Sequence, residues 1–296
     1  MIRQMGLTHV RLPVSRAADL LGVSRSLVYR EYADPSPRLG SDRQLQNRIE
    51  ELALEYPSIG YRMVTHHLAR EGTPVNSKRV RRVMRTAGLI KRRRRRWVKT
   101  TDSEHGLKIF PNLTKGYSPT GLNQVWVADI TYVRLPNGFC FLAVILDAYS
   151  RRVIGWCLQE EIDASLAVAA LEMAIRARCP APGWVHHSDR GVQYACRDYV
   201  DRLTAQGARI SMSAKGTPRD NAQAESFFRT LKTEEVYVQD YQTVAEARLC
   251  LEHFIEQVYN HKRLHSSIGY RPPIEFESQC EFDGQITRRP LPCNQG

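Results

Sequence analysis

The chain has 296 residues, 42% hydrophobic and 25% charged, with a formal net charge of +12. That is enough for two or three domains around a substantial core, and too apolar for wholesale disorder. No window approaches the ~18 consecutive apolar residues of a membrane span, and the opening MIRQMGLTHVRLPVSR lacks the apolar core and small-residue cleavage site of a secretory signal, so a cytoplasmic protein with no membrane partner is expected.

The charge is unevenly placed. Residues 1–100 hold 22 Lys plus Arg against 8 Asp plus Glu, whereas the remainder holds 21 against 23. A basic module joined to a nearly neutral one fits a polyanion partner, with binding steeply dependent on salt. The basic helices lack the wide apolar face of an interfacial helix, which favours nucleic acid over a membrane surface and implies association with the nucleoid. The seven cysteines all lie beyond residue 139 and form no CxxC pair, so neither a disulfide framework nor a zinc module in the basic part is supported.

Residues 1–35 contain SRAADLLGVSRSLVYREY. Ser15 is a candidate cap, Ala18 a small contact, Gly22 the turn and Val28 the anchor of a second helix, the spacing of a helix-turn-helix whose Ser24, Arg25 and Ser26 face DNA, or of a small packing domain. ADPSPRLGSD reads as a linker, followed by a helix over about 42–55. A second helical hairpin and a basic arm complete residues 36–100. In its latter half Ser77 caps, Val80, Val83, Met84 and Ala87 form the buried stripe, and Gly88 terminates. Lys78, Arg79, Arg81, Arg82 and Arg85 cover the rest, the better recognition-helix candidate. The run Lys91, Arg92, Arg93, Arg94, Arg95, Arg96 beside Trp97 is either an arm along phosphates or a solvated linker.

A Gly-, Pro- and Thr-rich linker, residues 101–120, precedes a change of pattern. QVWVADITYVRL, GFCFLAVILDAYS and RRVIGWCLQ predict a three-stranded antiparallel meander. A helix in DASLAVAALEMAIRARC, a strand in GWVHHSD, a helix in RDYVDRLTAQG, a strand in ARISMSA and a helix in NAQAESFFRTLKTEEV follow. A last long helix runs through TVAEARLCLEHFIEQVYNHK, burying Leu251, Phe254, Ile255 and Val258. The order βββαβαβα over residues 121–275 is that of a ribonuclease-H-like α/β domain with a mixed five-stranded sheet, preceded by an all-α helix-turn-helix region and followed by a tail, residues 276–296.

Three acids stand where elements end. Asp129 interrupts an apolar first strand, a costly place for a carboxylate unless something positive meets it. Asp189 closes the fourth strand, and Glu225, with 35 residues between them, opens a helix. In this fold the first and fourth strands are neighbours and the helix crosses back over them. Converging carboxylates must protonate or bind cations, and hard oxygen ligands suit two Mg²⁺ or Mn²⁺ ions that promote an in-line phosphoryl displacement. Arg229 and Lys232, further along the Glu225 stripe, are then placed to hold a phosphate.

At these residues the chain resembles the transposases of the insertion-sequence-three family, in particular their catalytic OrfB product, within the wider group of transposases and retroviral integrases with a D, D, 35, E triad. The matching stretches are YPSIGYR, VWVADITYV, LDAYSRRVIGW, HHSDRGVQYAC, SMSAKGTPRDNAQAESFFRTLKTEEV and YNHKRLHSSIGYRPP. The resemblance implies that Asp129, Asp189 and Glu225 are the catalytic, metal-binding acids and that Lys232 is the basic residue seven positions after the Glu. It also implies hydrolysis at transposon ends to expose a 3′-hydroxyl, which attacks another phosphodiester with no covalent enzyme intermediate. The partners expected are DNA, both the terminal inverted repeats and the target, further copies of the chain on paired ends, and an upstream OrfA-type protein, since no sustained heptad is present in residues 1–60. The absence of a His/Cys zinc module favours the insertion-sequence reading over a retroviral one.

Two other classes compete: a DNA-binding regulator whose α/β domain senses a ligand, and a ribonuclease-H-like nuclease without strand transfer. Among smaller signals, His187 is a ligand-orienting or a satisfied strand histidine, Trp126 and Trp156 are core residues, and Asn221 is a helix cap or a substrate contact. Tyr259, Asn260, Arg263 and His265 form a polar helix end that lines DNA if it follows the family.

Overall fold

A computed structural model describes residues 22, 36–90, 107–214 and 217–288. The chain divides into two compact units, Met1–Glu55 with Ile59–Lys91, and Tyr56–Ser58 with Arg92–Gly296. The first helix-turn-helix expected in residues 1–35, with Arg25, and the arm Arg92–Arg96 lie outside the described residues, apart from Gly22, which takes the positive φ of +63° that a turn glycine supplies.

Among the described residues of the first unit, three helices pack together, α1 (Ser36–Glu55), α2 (Tyr61–Arg70) and α3 (Ser77–Thr86). Leu45, Ile49 and Leu52 of α1 repeat every three or four residues, as do Val64 and Leu68 of α2 and Val80, Val83 and Met84 of α3, and all are buried. Helix α1 begins at Ser36, so most of the expected linker is helical; Pro37 falls in the first turn, where its missing N–H costs nothing. The cap of α3 is Asn76, whose side chain accepts from Lys78 N at 2.8 Å, and not Ser77, which is the first helical residue. Gly88, at φ +69°, ends the hairpin as expected.

The second unit is a five-stranded sheet in the order β3-β2-β1-β4-β5. Strands β1 (Val125–Leu135), β2 (Gly138–Asp147) and β3 (Val153–Gln159) form the antiparallel meander, and β4 (Val185–Ser188) and β5 (Arg209–Met212) run parallel to β1. Between the strands lie α4 (Ala164–Arg178), α5 (Val192–Ala195) and α6 (Arg197–Ala205). After β5 come a 3-10 turn (Pro218–Asn221), α7 (Ala222–Leu231), a π-helical turn (Lys232–Val236), and α8 (Val244–His253), which continues as a π segment (Phe254–Asn260). This is the ribonuclease-H-like arrangement that the order of elements predicts.

Both faces of the sheet are covered. Val125, Val127 and Val133 of β1 pack with Ala224, Phe227, Phe228 and Leu231 of α7 and Leu251, Phe254 and Ile255 beyond it. The alternate residues Trp126, Ala128 and Ile130 pack with Leu166, Ala170, Leu171 and Ala174 of α4 and Tyr199 and Leu203 of α6. Gly155 in β3 is required there, because a Cβ would collide with the backbone of Ala170 and Ala174.

Two features differ from the expectation. Helix α5 was not anticipated, and residues 273–288, largely assigned to a tail, form helix α9 (Pro273–Arg288). Proline at its first position and the ion pairs of Glu277 explain α9. Glu277 is buried and accepts from Ser150 Oγ at 2.6 Å, Arg152 at 2.7 Å and Arg178 at 2.5 Å, which hold its carboxyl below the ordinary range against the opposing effect of burial. Asp147 accepts three backbone N–H bonds, from Asn123, Tyr149 and Ser150, and so folds the β2–β3 turn. Removing one partner of a buried ion pair leaves the others unmatched. Glu277→Ala is therefore expected to lower the stability measured by chemical denaturation by about 3 kcal/mol, while leaving the far-ultraviolet spectrum of the folded protein unchanged.

Candidate active site and nucleic-acid interface

The parallel ladder between β1 and β4 has the register Val125↔Val185, Trp126↔His186 and Val127↔His187, and stops there. Asp129 lies two residues past the last pair on β1, and Asp189 is the first residue after β4, so two carboxylates flank the place where the strands part. The carboxylate of Asp189 accepts from Gly191 N at 2.9 Å. A Cβ on Gly191 would lie 3.0 Å from that carboxylate, which would have to shift by a few tenths of an ångström to accept one. Asp129 shares the face of Val127, onto which α7 packs, and its Oδ1 accepts from Ile130 N at 2.9 Å.

Helix α7 buries Ala224, Phe227, Phe228 and Leu231, the stripe its spacing predicts, and carries Glu225 in its exposed first turn. Lys232 follows α7, half-buried, with Nζ 4.3 Å from the ring centroid of Tyr132. Arg229 is exposed and donates to Ser226 Oγ at 3.2 Å.

The charges of these groups act on one another. Burial pushes the Asp129 carboxyl up to about 8, with further raising by the negative charges of Asp189 and Glu225; the Ile130 N–H and the Lys232 cation work in the other direction. Burial lowers the Lys232 ammonium, and Asp129 opposes that shift. Burial likewise raises Glu225, against the Arg229 charge. Among the described residues no three Asp, Glu, His or Cys side chains are drawn together into a cluster that could hold a metal ion. The three carboxyls are nevertheless hard oxygen donors of the kind that suits a divalent cation, and the Lys232 cation only partly offsets the burial and negative charge that raise Asp129.

The structure decides between the roles open to several neighbouring residues. His187 is a satisfied strand histidine, fully buried between Ser211 Oγ at 2.8 Å and Ser213 Oγ at 3.2 Å. Asn221 makes no cap bond and instead donates to the carbonyl of Ala128 at 3.0 Å. Asn260 clamps the edge of β3, accepting from Val153 N and donating to Val153 O, both at 3.0 Å. Tyr259 packs edge-on against Phe227 and His265, and Arg263 pairs with buried Glu234 at 2.5 Å. The C-terminal motif is thus turned inward and does not form a DNA-lining edge. Trp126 is core; Trp156 is half-buried and donates to Glu256 at 3.2 Å. Sequence reasoning missed Tyr194, whose fully buried hydroxyl has no hydrogen-bond partner and feels the charges of Asp129 and Asp189. Its only signal was a place in HHSDRGVQYAC.

In the first unit, Lys78, Arg81 and Arg85 of α3 are exposed, and Arg81 lies over the Tyr61 ring at 5.6 Å. Arg79 and Arg82 are both held by Asp42 at 2.7 Å, a restraint that no local pattern disclosed.

Residues 119–218 and 206–273 match the integrase core domain family, and residues 41–97 match an HTH-like domain. The transposase InsF for insertion sequence IS3A of Escherichia coli K12 is 38% identical over 266 residues, covering 88% of this chain and 92% of the relative. The chain belongs to the IS3 family of transposases. The insertion element IS600 uncharacterized 31 kDa protein of Shigella sonnei is 36% identical over 264 residues, 88% of this transposase and 97% of that protein. Solved structures similar to the transposase include the simian T-cell lymphotropic virus intasome in complex with PP2A regulatory subunit B56 gamma, 16% identical with a TM-score of 0.45 over 77% of this chain and 73% of that one. The catalytic core domain of BIV integrase is 21% identical, with a TM-score of 0.41 over 55% and 99% respectively. The transposase is accordingly an enzyme of the DDE transposase and integrase type, with an HTH-like domain for binding DNA.

The Asp129 shift has a sign that can be checked. A carboxyl that titrates near 3.8 when unfolded and about 8 when folded makes the folded state bind more protons between those limits, so metal-free stability falls as pH rises through that window. Asp129→Asn is expected to raise the melting temperature of the metal-free transposase, by an amount that is small near pH 4 and grows toward pH 8. Parallel melting curves at all pH values would contradict it.

Proposed function

We propose that this transposase binds the terminal inverted repeats of its insertion sequence and catalyses cleavage and strand transfer, with Asp129, Asp189 and Glu225 as the metal-binding catalytic acids. The observation that carries the assignment is the Asp129 carboxyl, half-buried where β1 and β4 part and raised by its position and by the charges of Asp189 and Glu225. Mg²⁺ or Mn²⁺, two ions per site, when bound there supplies Lewis acidity to the scissile phosphate and makes the attacking oxygen a better nucleophile.

The chain's own residues do the rest. Asp129 gives up its proton when a cation is loaded, which couples occupancy to pH. Asp189 is fixed by the Gly191 N–H. Lys232, one side of its ammonium seated on Tyr132, and Arg229, one turn before it, hold a phosphate of the transposon end against the acids. The 3′-oxygen then forms its bond to phosphorus as the opposite P–O bond breaks and the departing strand leaves with the electron pair. In the first unit, Lys78, Arg81 and Arg85 face the DNA directly, whereas Arg79 and Arg82 reach it only by exchanging Asp42 for phosphate. Arg25 and Arg92, Arg93, Arg94, Arg95 and Arg96 add further phosphate contacts. Joining two ends to one target requires several copies of the chain on paired ends, and an upstream OrfA-type protein is a further partner. Such a protein works in the cytoplasm on the nucleoid.

Incubation with oligonucleotides bearing the terminal inverted repeats and Mg²⁺ or Mn²⁺ tests the assignment. Joined products are expected from the wild type and only background from Glu225→Gln, with repeat binding retained. Cleaved but unjoined strands would instead favour a nuclease, and binding with no metal-dependent product a regulator. Replacing Arg81 or Arg85 by Ala is expected to weaken binding about equally on all sequences and to reduce the salt slope by about one each.

A further inference from the structure

Asn221 links the surroundings of two of the three acids. The β1–β4 ladder ends at Val127↔His187, and the next carbonyl of β1, that of Ala128, accepts the Asn221 amide at 3.0 Å across 93 residues of sequence. Ala128 immediately precedes Asp129. Asn221 immediately precedes α7, and Glu225 lies four residues on, one helical turn further. The Asn221 side chain is buried, 6% exposed, and its Oδ1 has no hydrogen-bond partner, so the donated bond is the contact that defines its orientation. Asp220 beside it secures the preceding turn, accepting from Ala214 N at 3.1 Å, Thr217 Oγ1 at 2.8 Å and Asn112 Nδ2 at 3.0 Å. The head of α7 is therefore pinned by side chains, since Asn221 supplies no cap to it.

We propose that Asn221 is a positioning residue for strand transfer: by donating to the Ala128 carbonyl it fixes the head of α7 against β1 and sets the spacing of Glu225 from Asp129 at which a divalent ion is shared. The proposal rests on the three-acid reading above. Aspartate at this position is nearly isosteric but replaces the donor by an acceptor facing another carbonyl oxygen, and alanine removes the link altogether.

The test is calorimetric titration of Mn²⁺ into the full-length, DNA-free protein for wild type, Asn221→Ala, Asn221→Asp, Glu225→Gln and the double variant Asn221→Ala with Glu225→Gln. Each Asn221 variant is expected to bind Mn²⁺ about ten-fold more weakly, the scale of lost support around a metal ligand. It should also join strands correspondingly more slowly at saturating DNA, with its affinity for the repeats unchanged. Because Asn221 acts through Glu225, the double variant should bind Mn²⁺ no more weakly than Glu225→Gln alone. A merely structural role would lower the melting temperature without moving Mn²⁺ affinity, and affinities within about two-fold of wild type in both Asn221 variants would overturn the proposal. So would a full additional loss in the double variant. Should Asn221→Asp not fold, Asn221→Leu, of similar size and without a donor, carries the same comparison. Loss of Mn²⁺ binding and joining in Glu225→Gln with both retained in the Asn221 variants defeats only the positioning role. Retention of both in Glu225→Gln defeats the three-acid reading, and the positioning role with it.

Discussion

A carboxyl group placed inside a sheet covered on both faces is the constraint from which the catalytic unit follows. Asp129 is tolerable where it stands because β4 leaves β1 two residues earlier and because burial favours the protonated form of the group. The same parting exposes the end of β4, so Asp189 is delivered without any special loop beyond the Gly191 turn. Helix α7 needs the sheet face for its aromatic stripe, and burying Phe227 and Phe228 leaves Glu225 exposed in its first turn, near enough for its charge to act on Asp129.

Elsewhere in this unit, the fold invests buried polar groups in holding backbone that the sheet cannot satisfy. Asp147 folds the β2–β3 turn, Asn260 replaces a missing neighbour at the edge of β3, and Glu277 binds α9 to that turn and to α4. Asp147 and Asn260 lie within stretches that match the family, yet neither is bonded to the acids. A shared motif here marks the frame as often as the chemistry, and an Asn or Asp that completes backbone hydrogen bonding is as hard to replace as a ligand.

The sheet and its helices were legible because β-branched runs and helical stripes are local signals, and the acids stood out because each breaks such a run or opens a helix. What escaped was set by partners distant in sequence. The bond from Asn221 to Ala128, the pairing of Asp42 with Arg79 and Arg82, and the inward turn of Asn260 each join residues tens of positions apart. Helix α9 was missed for the same reason: its pattern is weak by itself, and Arg152, Arg178 and Ser150 supply what anchors it. Asn76 in place of Ser77 as a cap is a smaller case, a shift of one residue between two side chains of similar capacity.

On the DNA-binding role proposed for α3, the clamp of Asp42 on two guanidiniums bears on how the protein scans duplex DNA. Arg79 and Arg82 are already ordered and already neutralised, so a passing phosphate displaces a carboxylate instead of freezing two flexible side chains, and fewer counterions are released in the exchange. Loose encounters with arbitrary sequence are then weak and short-lived, while a site that aligns phosphates with both arginines at once gains from their fixed geometry. One acidic residue on a neighbouring helix thereby trades grip for mobility, shortening the time lost on the wrong stretch of duplex.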